Sequence, residues 1–210
     1  DGFADVMAGA LFYSQPNRAD CGAVYVIFGG SHLADIDLFL GFNGFKMVGP
    51  ATNSYFGRLV ARGGDLNGDT YADLVVSSAS ARKVWIIYGH NATQGYPDID
   101  VLTMSASVGT TLSSAGLQFG AALSAARDVN NDGIHDLVVS APQATALGRG
   151  AAGVVYVLYG SVEGFSSLNM SHIAPQRGYT IVGPGLSRCG VSVAVTGDVN
   201  GDGRSDLLIG

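Results

Sequence analysis

Glutamate is all but missing from this chain: Glu163 is the single one among 17 acidic residues. A carboxylate pair for glycoside hydrolysis would therefore have to be drawn from aspartates. Four histidines, His32, His90, His135 and His172, are scattered without triad spacing, which leaves general acid–base or nucleophilic catalysis without a recognisable constellation. Serines are plentiful, yet no Gly-x-Ser-x-Gly nucleophile elbow occurs. No apolar run approaches the ~18–20 residues needed to cross a bilayer, so no membrane span is expected. Arg-Gly-Asp is also absent, residues 62–65 reading Arg-Gly-Gly-Asp. No secretory leader is recognisable and the chain opens at Asp1, as expected of a mature or trimmed product. Charged residues amount to only 13% and no linker of biased composition divides the 210 residues, so one continuous domain is expected.

The aspartates that are present fall into a pattern. Asp-x-Asn-x-Asp-x-x-x-Asp occurs three times, as Asp65-Asn67-Asp69-Asp73, Asp128-Asn130-Asp132-Asp136 and Asp198-Asn200-Asp202-Asp206. The last aspartates of the three copies are 63 and 70 residues apart, and a half-copy, Asp1 and Asp5, lies 68 residues before the first. Self-similarity at such a period marks a repeat protein. Each copy runs into an apolar stretch, Leu74–Val76, Leu137–Val139 and Leu207–Ile209, and further runs recur behind it: Val24–Phe28, Val84–Tyr88 and Val155–Tyr159. Gly44–Pro50 likewise returns as Gly178–Pro184. These runs are short, rich in Val, Ile, Tyr and Phe, and bounded by Gly, Pro or Ser, which reads as strand. Four strands per unit predict an all-β array of propeller-type blades. The expected units are a partial blade over 1–50, blades over 51–112 and 113–184, and a partial blade over 185–210.

Ligand chemistry points to calcium. Carboxylate and amide oxygens at positions 1, 3, 5 and 9, with a backbone carbonyl near position 7, suit a hard cation, whereas zinc or copper would draw on His or Cys. An EF-hand begins alike but needs Glu at position 12 and flanking helices; here position 12 is Val76, Val139 or Ile209. The alternative is three Asp/Asn/Gly turns that hold no metal. The three loops contain nine of the 17 acidic residues, so their carboxylates crowd one another. A formal charge of −6 with pI near 4.9 is thereby read as metal sites, and no nucleic-acid partner is expected.

Phe-Gly at 56–57 and 119–120, the aspartate loops, the Ser-Ala-Pro segment 140–142 and the Val-Tyr-Val runs together resemble the FG-GAP repeat of integrin α-subunit propellers and their relatives, over nearly the whole chain. The resemblance implies that the Phe-Gly strand is innermost and that the following loop binds Ca²⁺. Its ligands would be the twelve Asp and Asn side chains above, with carbonyls from Tyr71, Ile134 and Arg204, and a fourth half-site at Asp1 and Asp5. Family propellers usually have seven blades, and this chain has residues for about three; Cys189 stands where Phe is expected.

The terminal units are open in strand count, and an unpaired edge recruits another strand. A longer propeller, a closed ring of copies, or head-to-tail strand complementation into a filament would each satisfy them. In the last case Cys21 and Cys189, the two cysteines, fall in one blade as disulfide candidates; otherwise they are free thiols. Asn91-Ala92-Thr93 and Asn169-Met170-Ser171 are sequons for N-glycans, and with loops suited to millimolar calcium they favour an extracellular or cell-surface location. The expected function is a non-enzymatic, calcium-binding adhesion or structural module whose partners are other proteins or copies of itself. The alternative is the non-catalytic propeller of a larger secreted hydrolase. Asp35-Ile36-Asp37 and Asp98-Ile99-Asp100 are read as turn-and-strand punctuation.

Overall fold

A computed structural model describes residues 2–31, 35–91, 95–165 and 168–210. Among them Val dominates the central strands, and the described chain is all-β. Four sheets follow one another along the sequence. The first joins β1 (Val6–Ala10), β2 (Ala23–Ile27) and β3 (Gly44–Val48). The second is β4 (Leu59–Gly64), β5 (Asp73–Ser78), β6 (Lys83–Ile87) and, after the short β7 (Ile99–Asp100), β8 (Gly109–Ser113). The third is β9 (Leu123–Arg127), β10 (Asp136–Ala141), β11 (Val154–Leu158) and β12 (Gly178–Val182), and the fourth pairs β13 (Val193–Val195) with β14 (Leu207–Ile209). Within the second and third sheets the strands run antiparallel in chain order, as a four-stranded meander.

Alternation along the central strands dictates how the sheets stack, because side chains i and i+1 leave opposite faces. In β5, Val75 joins a core with Leu137, Val139 and Tyr156 of the third sheet, while its neighbour Val76 joins one with Val24, Val26 and Met47 of the first. In β10 the same division sends Leu137 and Val139 toward the second sheet and Val138 toward Val193, Val195, Leu207 and Ile209 of the fourth. A sheet buried on both faces reads as an unbroken apolar run, which is the pattern of 74–76 and 137–139. First strands line up across the stack: β9 lies beside β4 on one side and β13 on the other.

Phe-Gly is not itself in the first strand, contrary to the expectation. Phe56-Gly57 and Phe119-Gly120 sit in the turn that delivers the chain to β4 and β9. Both phenylalanines are fully buried, each packed edge-to-face on the third-strand aromatic of its own sheet, Phe56 on Trp85 at 5.0 Å and Phe119 on Tyr156 at 5.3 Å. Gly57 and Gly120 have φ of +90° and +87°, and a side chain there would run into Val24 and Ala23 or into Ser77 and Val84 of the preceding sheet. Glycine is therefore required both for the backbone conformation and for the close approach of sheets.

Asp98-Ile99-Asp100 proves to be a strap, not punctuation. β7 pairs parallel with β3 through Met47↔Ile99 and Val48↔Asp100, so the second unit reaches back to cover the outer edge of the first sheet. Asp98 accepts the Lys46 amide at 2.7 Å, and Asp100 forms a two-pronged pair with Arg18. That guanidinium holds the Asp100 carboxyl below the usual carboxylate range.

Two measurements check this architecture. Phe119→Ala removes a fully buried ring and should cost about 3–5 kcal/mol in chemical denaturation. A double-mutant cycle on Arg18 and Asp100 should give a coupling below about 1 kcal/mol at pH 7, since the pair is partly exposed. Because the folded pKa of Asp100 is depressed, that coupling is present above the unfolded value, about 3.9, and is lost as the pH falls below it.

Candidate metal centre

The first two aspartate loops leave their sheets at a first-strand irregularity, whereas β13 and β14 pair in unbroken register beside the third. Register slips between Arg62 and Gly64 opposite β5, and at the Asp136/Leu137 step opposite β9, re-aiming the chain into the nine-residue loop. The three loops then repeat one hydrogen-bond scheme. Asp65 Oδ1 accepts the amides of Gly68 (2.6 Å) and Asp69 (3.0 Å), and its Oδ2 accepts that of Thr70 (2.8 Å). Asp128 does the same with Asn131, Asp132 and Gly133, and Asp198 with Gly201, Asp202 and Gly203. At position 3, Asn67, Asn130 and Asn200 take the amide of position 5 and donate Nδ2 to its carboxylate. The Asp at position 5 accepts the amide of position 7, which belongs to Tyr71, Ile134 or Arg204.

Position 9 does different work. Asp73 and Asp136 are fully buried. Asp73 Oδ2 accepts the Leu66 amide at 2.8 Å and its Oδ1 the Gly89 amide at 2.9 Å, tying the loop to the end of β6. Asp136 ties Val129 and Asn130 to Gly160 behind β11 in the same way. In the half-copy, Asp5 accepts the Gly29 amide at 2.8 Å, the same bond one unit earlier, while Asp1 lies outside the described residues. Asp206 accepts the Val199 amide at 2.7 Å. Burial pushes the Asp73 and Asp136 carboxyls up to about 6, against the opposing pull of their backbone donors. The exposed Asp198, held by three amides, is instead lowered by them.

Side-chain chemistry and convergence give different answers about a cation. All donors are hard oxygens, and a carboxylate offers about four lone-pair positions. Asp65 uses three of these, while Asp69 and Asp73 use two each, so capacity remains for a metal. Among the described residues, however, no three His, Cys, Asp or Glu side chains gather as a metal-holding group. The carboxylates close on backbone amides, and a cation would have to turn them inward. The donor set therefore fits Ca²⁺ in type, with the side chains of positions 1, 3, 5 and 9 as holders.

Two expectations take a different form. Cys21 and Cys189 are free thiols at different sheet junctions. The Cys21 carbonyl accepts the Phe56 amide at 3.0 Å, and the Cys189 amide donates to Ala152 at 3.1 Å. Cys189 occupies the Phe-Gly place and faces Ala152, the counterpart of Cys21, so each cysteine already has its junction partner within the chain. In this structure the two thiols are not bonded to one another. Of the sequons, Asn91 and Asn169 are both solvent-accessible, although Met170 between Asn169 and Ser171 is buried, and Thr93 lies outside the described residues.

The position-9 bonds give a metal-independent prediction. Asp136→Ala leaves the Val129 and Gly160 amides without an acceptor and should cost roughly 1–3 kcal/mol even in chelator. Asp132→Ala, on an exposed side chain, should cost far less under the same conditions, which paired urea titrations would measure.

Residues 119–158 match the FG-GAP repeat family. That segment runs from Phe119 through the second aspartate loop to the end of β11. Phosphatidylinositol-glycan-specific phospholipase D of Bos taurus is 34% identical over 156 residues, 70% of this chain and 17% of that protein. Integrin alpha-PS5 of Drosophila melanogaster is 33% identical over 168 residues, covering 77% of this chain and 15% of the relative. Integrin alpha-4 of Xenopus laevis is 30% identical over 169 residues, with 79% and 15% covered. The chain thus spans under a fifth of the length of these relatives. At this identity over more than two thirds of its length, the chain belongs to the FG-GAP, integrin alpha-like family.

Proposed function

We propose that this chain is a non-enzymatic, calcium-stabilised β-propeller portion that serves protein adhesion or structural assembly at the cell surface or outside the cell. The observation that carries the reading is the recurrent wiring of three loops, all with oxygen ligands at positions 1, 3, 5 and 9. Asp65, Asn67, Asp69 and Asp73 would hold the first ion; Asp128, Asn130, Asp132 and Asp136 the second; and Asp198, Asn200, Asp202 and Asp206 the third. Carbonyls of Tyr71, Ile134 and Arg204 would complete them. Calcium would supply fixed positive charge where carboxylates now crowd one another. The position-9 carboxylate, buried in the first two loops and lacking a cationic side-chain partner among its described bonds, anchors the loop to the sheet from within.

Asn91 and Asn169 are solvent-accessible, as attachment of N-glycans outside the cell would require. No helix among the described residues is long and apolar enough to cross a membrane. A second reading, the non-catalytic propeller of a larger secreted hydrolase, draws on the similarity to the phospholipase D, 70% of this chain against 17% of that protein. The two readings agree on the loops and differ in what adjoins them. Head-to-tail assembly of copies is less favoured. Both terminal sheets carry a second strand, β1 and β14, so one of the two would have to be displaced at a joint between copies.

Calcium at millimolar concentration should raise the melting temperature of the chain above its value in chelator, and Asp132→Ala should remove part of that rise while leaving the chelator value nearly unchanged. Identical melting with and without calcium would end the metal reading.

A further inference from the structure

The first and second aspartate loops are joined by a contact that the third does not share. His135, at position 8 of the second loop, holds both polar groups of the Asp65 main chain. Its amide donates to the Asp65 carbonyl at 3.0 Å, and its ring Nδ1 accepts the Asp65 amide at 3.1 Å. Asp65 is position 1 of the first loop, and its carboxylate already gathers three amides of that loop. One residue of the second loop thus fixes the backbone from which the first loop's leading ligand projects. The join is reinforced alongside: the Ser161 amide donates to Leu66 at 3.1 Å, and Ile134 and Val162 pack around Gly68.

His135 is in turn fixed by its own loop. It directly precedes Asp136, whose carboxylate binds Val129, Asn130 and Gly160. Any rearrangement of the second loop that shifts residues 135 and 136 therefore moves the Asp65 backbone. At the corresponding place the first loop has Ala72, which carries no acceptor, and the third has Ser205, with a short one. Between the second and third loops the structure leaves an open cleft of about 400 Å³, lined among others by Asp128, Asp198, Arg204 and Ser205.

We infer that His135 is a positioning residue that couples the two loops, so that calcium in the loop 128–136 raises the affinity of the loop 65–73 for calcium. The inference rests on the calcium reading of the loops. Linkage makes the effect reciprocal, and a coupling of this kind typically amounts to about 5-fold or more in affinity. The third loop binds independently, because no such side chain bridges it to the second among the described bonds.

The test is a calcium titration of the full chain followed by NMR, with the Gly68 amide reporting on the first loop and the Gly133 amide on the second. In the parent protein, Asp132→Ala should weaken binding at Gly68 by about 5- to 10-fold. His135→Leu should weaken it to a similar degree by itself, and adding Asp132→Ala to that variant should then change it little. His135→Asn, whose Oδ1 can accept where Nδ1 did, should retain the coupling, which separates a positioning role from mere loss of packing. The coupling is overturned if Asp132→Ala leaves Gly68 affinity untouched, or lowers it equally with and without His135→Leu. If His135→Leu fails to fold, His135→Ala takes its place, with coupling lost there and retained in His135→Asn supporting the inference, and coupling retained in His135→Ala or absent from the parent overturning it. Should neither glycine respond to calcium at all, the calcium reading of the loops falls, and the coupling with it.

Discussion

Every middle sheet of this protein must be covered on both faces, and the rest of the architecture follows from that constraint. Val75 and Val76 are adjacent in the chain yet belong to different cores, one toward the third sheet and one toward the first. Neither the second nor the third sheet can therefore be stable without neighbours on both sides, as in other repeat arrays where each unit is completed by the next. Close approach is the condition for this coverage. It explains glycine at Phe-Gly turns and the strap of β7, which seals the outer edge of the first sheet from the second unit.

The aspartate loops solve a local problem created by the same stacking. Turning from a first strand to a second leaves many backbone amides without strand partners, and the loop's own side chains accept them. Position 1 collects three of them, position 3 and position 5 one each, and position 9 reaches across to the glycine behind the third strand. Carboxylates are good acceptors for this purpose, but concentrating them raises their mutual repulsion and, at position 9, places them out of water. A hard cation of the kind proposed would relieve both costs once the carboxylates turned toward it.

Much of this was legible in the sequence. The repeat period, the strand runs and the twelve candidate ligands could be read from pattern, because Asp and Asn recur at the same four positions in every full copy and each copy runs into an apolar stretch. Tertiary placement decided what could not be read. The family resemblance implies a Phe-Gly strand and so places Phe56 and Phe119 in the first strand, but they serve as buried plugs at strand entry. β8, Gly-Thr-Thr-Leu-Ser, is too polar to stand out, because Thr111 and Ser113 are exposed on an outer strand. Asp98 and Asp100 looked like punctuation because their partners, Lys46 and Arg18, lie 52 and 82 residues away. His135 carried no signal beyond its position inside a loop; only the neighbouring Asp65 backbone gives it a role. The cysteines show the same limit, as their junction partners, Phe56 and Ala152, become apparent only once the sheets are stacked.

The central claim is that the three repeated loops are calcium sites. Native mass spectrometry of the chain, desalted and then equilibrated with calcium, counts bound ions directly. The account predicts a species carrying three calcium ions, falling to two when Asp132 is replaced by Ala. A chain that retains no calcium under conditions preserving its fold would contradict it.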